Sequence, residues 1–506
     1  MKNSKFSLFA VLFAITVLFI GCAPGFEPEL KTYEFSELQN EDIFLVKLNR
    51  SDTVVPASHT GNSRNLYPQN QYSSSYNQSD RAIRRTSHPA ATAFNANPPA
   101  ITDSTPRITR SSFTPPALNS TRDFFVESFF NSGVFVSSTA TLRATGNRGN
   151  IWVIGTSITT PQAQELSDKF DTIYDEITKI FGFEYGKYTG QTLNGKDEDP
   201  KIQILVYNIG NNIAGYFWGK DFYTQTELQQ IGAGNLRTNN AEIFYIDAGL
   251  ITHAESRVRN FAYLTLAHEL QHMIHFNRKW VIHGRNSETW YNELLSKMAE
   301  DIIAPILSID APSYHMPWYL ATYDLVGITD WDTSNDTLTD ASYDKSYAFG
   351  AYLLRNYGGA RLLESILSNN SVDIQSLNSA LSQIAGISFE QAFRNFAQAL
   401  IHYGISDPDN GPPSFNRSNT SNVGGTTYNL SRIDIWNMDR PGRSGYPGGK
   451  GTLIFNIAPT QMRPYSIMIQ STNAWRNLSG NFSITLELPR NASVELDLLR
   501  DSSRNW

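Results

Sequence analysis

Cysteine is all but missing from this chain: of 506 residues, only Cys22 carries a thiol. Disulfides are therefore excluded, and any metal site must be built from nitrogen and oxygen donors. Positive charge is in deficit as well. Lys and Arg number 41 against 48 Asp and Glu, a formal net charge of -7, and Arg81, Arg84 and Arg85 are scattered rather than clustered. That balance argues against a nucleic-acid partner. The apolar run from Phe6 to Ile20 is too short and too close to the N-terminus for a spanning helix. No G-x-S-x-G elbow is present. Lys450 is followed by Gly451 where a phosphate loop needs Ser or Thr, and Asp197-Glu198-Asp199 lacks EF-hand spacing.

Lys2, Lys5, the apolar run and then Phe19-Ile20-Gly21-Cys22 read as a lipoprotein signal over residues 1–21. Cys22 is then the acylated first residue. The expectation is a lipid anchor at the bacterial cell envelope, on the secreted side of a membrane (outer membrane or cell surface). Residues 22–50 form a short N-terminal segment with one strand, Ile43 to Leu48. Residues 51–120 are rich in Ser, Asn, Thr and Pro and predict a disordered tether. From residue 121 the pattern turns globular, with strands at 124–129, 134–144, 150–154, 201–208 and 241–247, and a helix opened by Thr160-Pro161. Residues 121–286 make an α/β lobe and residues 287–406 a helical lobe. Gly358-Gly359 ends one helix there, and Ser388-Phe389-Glu390-Gln391 starts another. Residues 407–506, with short strands at 451–457, 466–470, 481–488 and 493–498, predict a C-terminal β-sandwich. The fold class is α+β.

The most informative stretch is His268-Glu269-Leu270-Gln271-His272. Residues four apart on a helix lie one above the other, so His268 and His272 can converge on one ion. Glu269 is turned about 100° round the axis, within reach of a water at that ion. Thr252-His253-Ala254-Glu255 is a T-x-x-E pattern that predicts a helix from near His253 to about Phe276. His275 shares the histidine face but lies about 10 Å along the axis from His268, too far for both to bind one ion. A third ligand must come from elsewhere, and the next helix, capped near Ser287 and ended before Pro305, carries Glu293. Glu300, two turns on, shares the face of Glu293 and can bond a ligand imidazole; Glu300 and Asp301 otherwise read as a solvated helix end.

These segments resemble the hyicolysin family of bacterial zinc metallopeptidases. The likeness rests on Thr265 to Ile274 and on Asn292-Glu293-Leu294-Leu295-Ser296 with Ala299-Glu300-Asp301. Gly215-Tyr216-Phe217-Trp218, Glu242 to Asp247 and Ser342 to Tyr347 extend it. Trp290-Tyr291-Asn292-Glu293 is similar to the W-x-N-E segment of gluzincins, whose glutamate is the third zinc ligand. Two positions depart from the pattern: Leu294, where Gly is common, and Lys297, where thermolysin-like enzymes place an aspartate that steadies a ligand histidine. Tyr343-Asp344-Lys345 resembles the Y-x-K segment of zinc aminopeptidases, which implies an oxyanion donor in Tyr343, with Tyr347 and His315 as substitutes. The resemblance implies a zincin-like catalytic domain of two lobes, with an edge strand over the cleft to pair with substrate. The strand at 241–247 is the candidate for it.

The expected function is that of a zinc endopeptidase with one Zn²⁺ per chain on His268, His272 and Glu293. Glu269 is its general base, and protein or peptide its substrate. The rival reading is a surface lipoprotein that binds or adheres through its β domain, with a vestigial metal site. A carboxylate-bridged di-iron centre is excluded, because Glu269-Leu270-Gln271-His272 is the only E-x-x-H in the chain.

Overall fold

The computed structural model describes residues 29–56, 88–100, 113–128, 131–155, 158–185, 195–210, 212–401, 411–442, 448–450 and 460–501. The signal over 1–21, Cys22 and the strand expected at 451–457 lie outside the described residues. The chain opens with β1 (Leu30–Asn49), β2 (Val55–Pro56) and α1 (Pro89–Ala96). A sheet region follows: β3 (Thr121–Ser128), β4 (Asn131–Thr145), β5 (Gly149–Ile154), α2 (Thr160–Phe181), β6 (Ile202–Tyr207), β7 (Gly215–Phe217), α3 (Gln225–Gln230) and β8 (Ile243–Asp247). Helices then dominate: α4 (Ala248–Ile251), α5 (Ser256–His275), α6 (Thr289–Ile303), α7 (His315–Thr322), α8 (Asp336–Asn356), α9 (Ala360–Ser368), α10 (Asp373–Ala385) and α11 (Phe389–Ala399). Short strands close the chain: β9 (Asn419–Val423), β10 (Thr426–Leu430), β11 (Asp439–Arg440), β12 (Gly449–Lys450), β13 (Gln461–Met462), β14 (Ile467–Gln470), β15 (Leu478–Glu487) and β16 (Val494–Asp501). The class is mixed α and β, as expected. Among the described residues no helix is long and apolar enough to cross a membrane.

The main sheet has the order β3-β4-β5-β6-β8-β7. Pairs β5–β6 and β6–β8 are parallel, and the rest are antiparallel. Period-2 alternation sorts its side chains onto two faces. Ile151, Val153, Ile204, Val206, Phe244 and Ile246 join α2 and α5 in the principal core. Trp152, Leu205, Tyr216 and Tyr245 face the other way into a second, aromatic cluster with Phe124 and Trp218. The α2 helix starts as its sequence requires: Thr159 caps the Gln162 N–H, Gln162 answers at the Thr159 N–H, and Pro161 sits in the first turn.

Four expectations are corrected. First, strand 241–247 (β8) is interior, and the sheet edge is β7, only three residues long and antiparallel to it. Gly215 permits this: a Cβ there would lie 2.6 Å from the Tyr245 carbonyl and 2.7 Å from Thr265 Cγ2. Second, the helix that carries His268 and His272 starts at Ser256, not near His253. The Thr252 hydroxyl bonds back to the Ala248 carbonyl and so serves the end of α4 instead of capping α5. The next helix likewise has Glu288 at its N-cap, while Ser287 is drawn off to bond His275.

Third, residues 51–120 are not wholly a tether. Pro89 pre-sets the first turn of α1, Ala91 is buried, and Phe94 packs edge-on against Tyr223 at 5.7 Å. Fourth, residues 22–50 are not a separate piece. β1 pairs with β15 over its first half, and with β16 and β14 over its second, all antiparallel. The sheet expected to be made by the C-terminal residues alone thus takes a central strand from the N-terminal end. Leu38, Ile43, Leu45, Leu486, Leu496 and Leu498 form its core.

Candidate metal centre

Helices α5 and α6 pack together and carry every group in the site. His268, His272 and Glu293 each offer a ligand atom, and these lie within 4.8 Å of one another. The two Nε2 atoms are 3.0 Å apart. His268 Nε2 is 3.2 Å from Glu293 Oε2, and His272 Nε2 is 3.6 Å from Glu293 Oε1. A tetrahedral ion with bonds of about 2.1 Å holds its ligand atoms about 3.4 Å apart, so these spacings fit one divalent ion.

The far side of each ring fixes its orientation. His268 Nδ1 meets Glu300 Oε1 at 2.6 Å, and His272 Nδ1 meets Asn292 Oδ1 at 3.0 Å. Both partners can accept, so each Nδ1 is placed to donate and each Nε2 is turned toward Glu293; the Ser296 hydroxyl also lies 3.1 Å from His272 Nδ1. Two imidazole nitrogens and a carboxylate this close share a proton when His268 is charged, and can share a divalent ion when both rings are neutral. The donor set therefore suits a metal.

The same contacts set the charge of each group. Burial works against a charged His268, but its hydrogen bonds to Glu293 and Glu300 prevail and push it up to about 9. Burial takes His272 down to about 4, which favours the neutral ligand form. Glu269 is fully buried and lines the same cleft as His272 and Glu293, without a side-chain hydrogen-bond partner among the described residues. Burial, helped by Glu293 and opposed by His268, pushes it up to about 8.

Glu300 does what its spacing suggested, and Lys297 explains how. Burial alone would raise the Glu300 carboxyl; Lys297 and His268 overcome it and hold it at about 2. The ammonium of Lys297 is 2.7 Å from Glu300 Oε1. Lys297, read in the sequence only as a departure, therefore keeps a buried carboxylate ionised against the ligand ring. The signal for it was present, since Lys297 and Glu300 are three apart on one helix. Asn292 was missed too, although it directly precedes the ligand glutamate. Lys297→Met is expected to weaken metal binding about 10–100-fold, read by competition with a chelator. Unchanged affinity would show that Glu300 steadies His268 unaided.

The remaining candidates are each held by other partners. His275 bonds the Ser287 hydroxyl at 2.8 Å and packs on Tyr291, so it is a structural histidine. Asp301 is buried and paired with Arg355. The Tyr347 hydroxyl donates to Asp301 at 3.4 Å. His315 Nδ1 bonds Asp344 at 2.7 Å, and its ring lies 5.5 Å from Tyr347. The Tyr343 ring rests on Trp331 at 5.0 Å, with the Lys297 ammonium 5.2 Å from its centre. It is thus linked to the ligand set through Lys297 and Glu300.

Residues 136–423 match the family described as Peptidase M30. That is more than half of the chain. The chain belongs to the peptidase M30 family. This M30 chain is also 26% identical over 279 residues to the neutral metalloprotease ShpI of Staphylococcus hyicus, an alignment covering 52% of this chain and 58% of that relative. The M30 chain therefore spans little more than half the length of that relative. Both α5 and α6, with His268, His272 and Glu293, fall inside the residues matched to that family.

Proposed function

We propose that this chain is a zinc-dependent endopeptidase of gluzincin type, acting on proteins outside the cell that makes it. The observation carrying the reading is the convergence of His268, His272 and Glu293 beside a buried Glu269, within the M30 region. A zincin-like division into two lobes belongs to the same proposal, with α5 contributed by the sheet-bearing lobe and α6 by the helical one.

Neutral His268 and His272 with ionised Glu293 would hold one Zn²⁺. When bound, that ion supplies a Lewis acid that polarises the scissile carbonyl and lowers the pKa of a water. Glu269 takes the proton of the attacking water and passes it to the leaving amine. Tyr343 is the proposed donor to the oxyanion, steadied by its contact with Lys297. The outer side of edge strand β7 is the proposed pairing surface for an extended peptide, which suits a protease because every peptide carries the same N–H and C=O. A lipid on Cys22, holding the enzyme to the outer membrane or cell surface, completes the proposal.

Purified protein is expected to contain zinc and to hydrolyse casein. Removal of the metal with 1,10-phenanthroline should abolish hydrolysis, and added Zn²⁺ should restore it. Zinc-replete protein that leaves casein and short peptides intact would sink the reading. Tyr343→Phe in the same assay, and the mass of the mature N-terminus, check the other two assignments.

A further inference from the structure

We propose that residues 88–100 are a built-in occupant of the substrate cleft, so that the intact chain is a latent peptidase. This rests on the peptidase reading above and adds what regulates that same site. The segment lies at the mouth of the metal centre: Ala91, Thr92 and Asn95 line one cleft together with Glu269, His272 and Glu293.

Its grip is polar and directed at the sheet edge. Asn95 Nδ2 donates to the Phe217 carbonyl at 2.9 Å, and Asn95 Oδ1 accepts the Gly219 N–H at 2.8 Å. A carboxamide carries the same donor and acceptor as a peptide group. Asn95 therefore takes, with its side chain, main-chain groups that an extended substrate would use. Gly219 is fitted to this approach: a Cβ there would lie 2.5 Å from the Phe276 ring and 3.0 Å from Asn95 Oδ1.

Contacts at both ends hold the segment down. The His88 ring lies 4.9 Å from Tyr216 and 5.1 Å from Trp218, and its Nε2 pairs with Glu127. At the other end the Pro99 carbonyl accepts from the Tyr223 hydroxyl and from the Trp280 indole N–H, the latter at 3.2 Å. Because α1 is helical, it presents a side-chain amide rather than an extended scissile bond to the edge strand. It blocks the cleft without being a substrate. Being on the same chain, it competes at an effective concentration of about millimolar, above that of most free substrates.

The test uses the full chain loaded with zinc. Asn95→Ala, and His88→Ala combined with Asn95→Ala, are expected to lower the KM for fluorescent casein at least tenfold with kcat unchanged. Hydrogen–deuterium exchange of the peptide carrying Gly219 should quicken in both variants, whether or not the protein is a protease. A synthetic peptide of residues 88–100 should inhibit the double variant, and the same peptide with Asn95→Ala should not. Unchanged exchange would overturn the docking itself. Quicker exchange with an unchanged KM would overturn latency. Quicker exchange with no casein hydrolysis by any zinc-bound variant would support the docking and overturn the peptidase reading on which latency rests.

Discussion

Glu269→Gln is expected to keep its zinc and lose about 10²- to 10⁴-fold in kcat on casein, the range typical of a missing general base. Glutamine keeps the shape and burial of the side chain while removing its proton affinity. It also takes a carboxylate out of a site that holds Glu293 and Glu300 as well, so the fold should not suffer. Zinc content by elemental analysis separates the two explanations for a dead enzyme. A variant that loses both metal and activity would assign Glu269 to the ligand set, and one as active as the wild type would remove it from the chemistry. The direction of the pH dependence follows from burial, which holds Glu269 up at about 8 before any ion is present. A dication beside it favours the ionised form and lowers that value. Only the ionised form accepts a proton, so kcat/KM should fall as pH drops, with its acid limb below pH 8.

Arg355→Met is expected to cost about 3–5 kcal/mol of stability, the usual result of leaving one member of a buried ion pair alone. Arg355 Nη1 is 2.5 Å from Asp301 Oδ2, and Nη2 is 3.3 Å from Asp301 Oδ1. Both side chains are essentially inaccessible to water. Arg355 also donates from Nε to the Ser431 carbonyl at 2.8 Å. One guanidinium thus joins α8 to α6, the helix that carries Glu293, and to the chain leading away from β10. Urea denaturation measures the loss. Pairing the change with Asp301→Asn should recover part of it, because the stranded charge is then gone. A loss under about 1 kcal/mol would mean that water or another group rescues Asp301.

What could be read from the sequence was what repeats over a few residues. Four-residue spacing put His268 and His272 on one face, and two turns of helix carried Glu300 from Glu293 to the ligand ring. Thr159-Thr160-Pro161-Gln162 marks its own helix start because the capping groups are three residues apart. Failures came where a local signal had a stronger competitor, or where there was no local signal. Thr252 has the residues of a capping box, yet the carbonyl of Ala248 is nearer and takes its hydroxyl. A three-residue strand such as β7 is too short for alternation to show. The Pro89–Ala96 helix has a composition suited to a linker, and it is held by distant residues: the rings of Tyr216, Trp218 and Tyr223 and the main chain of Phe217 and Gly219.

The pairing of β1 with β14, β15 and β16 was likewise invisible, since its partners begin more than 400 residues away in the chain. It has a consequence for how the protein is made. Strand β1 waits for partners that follow it by more than 400 residues, and helices α5 and α6 lie in the span between them. Until residue 467 and beyond have emerged, both edges of that early strand are open to pairing with other chains. Closing so long a loop is slow relative to forming the helices within it. The body that carries His268, His272 and Glu293 can therefore fold before the sheet built on β1 exists.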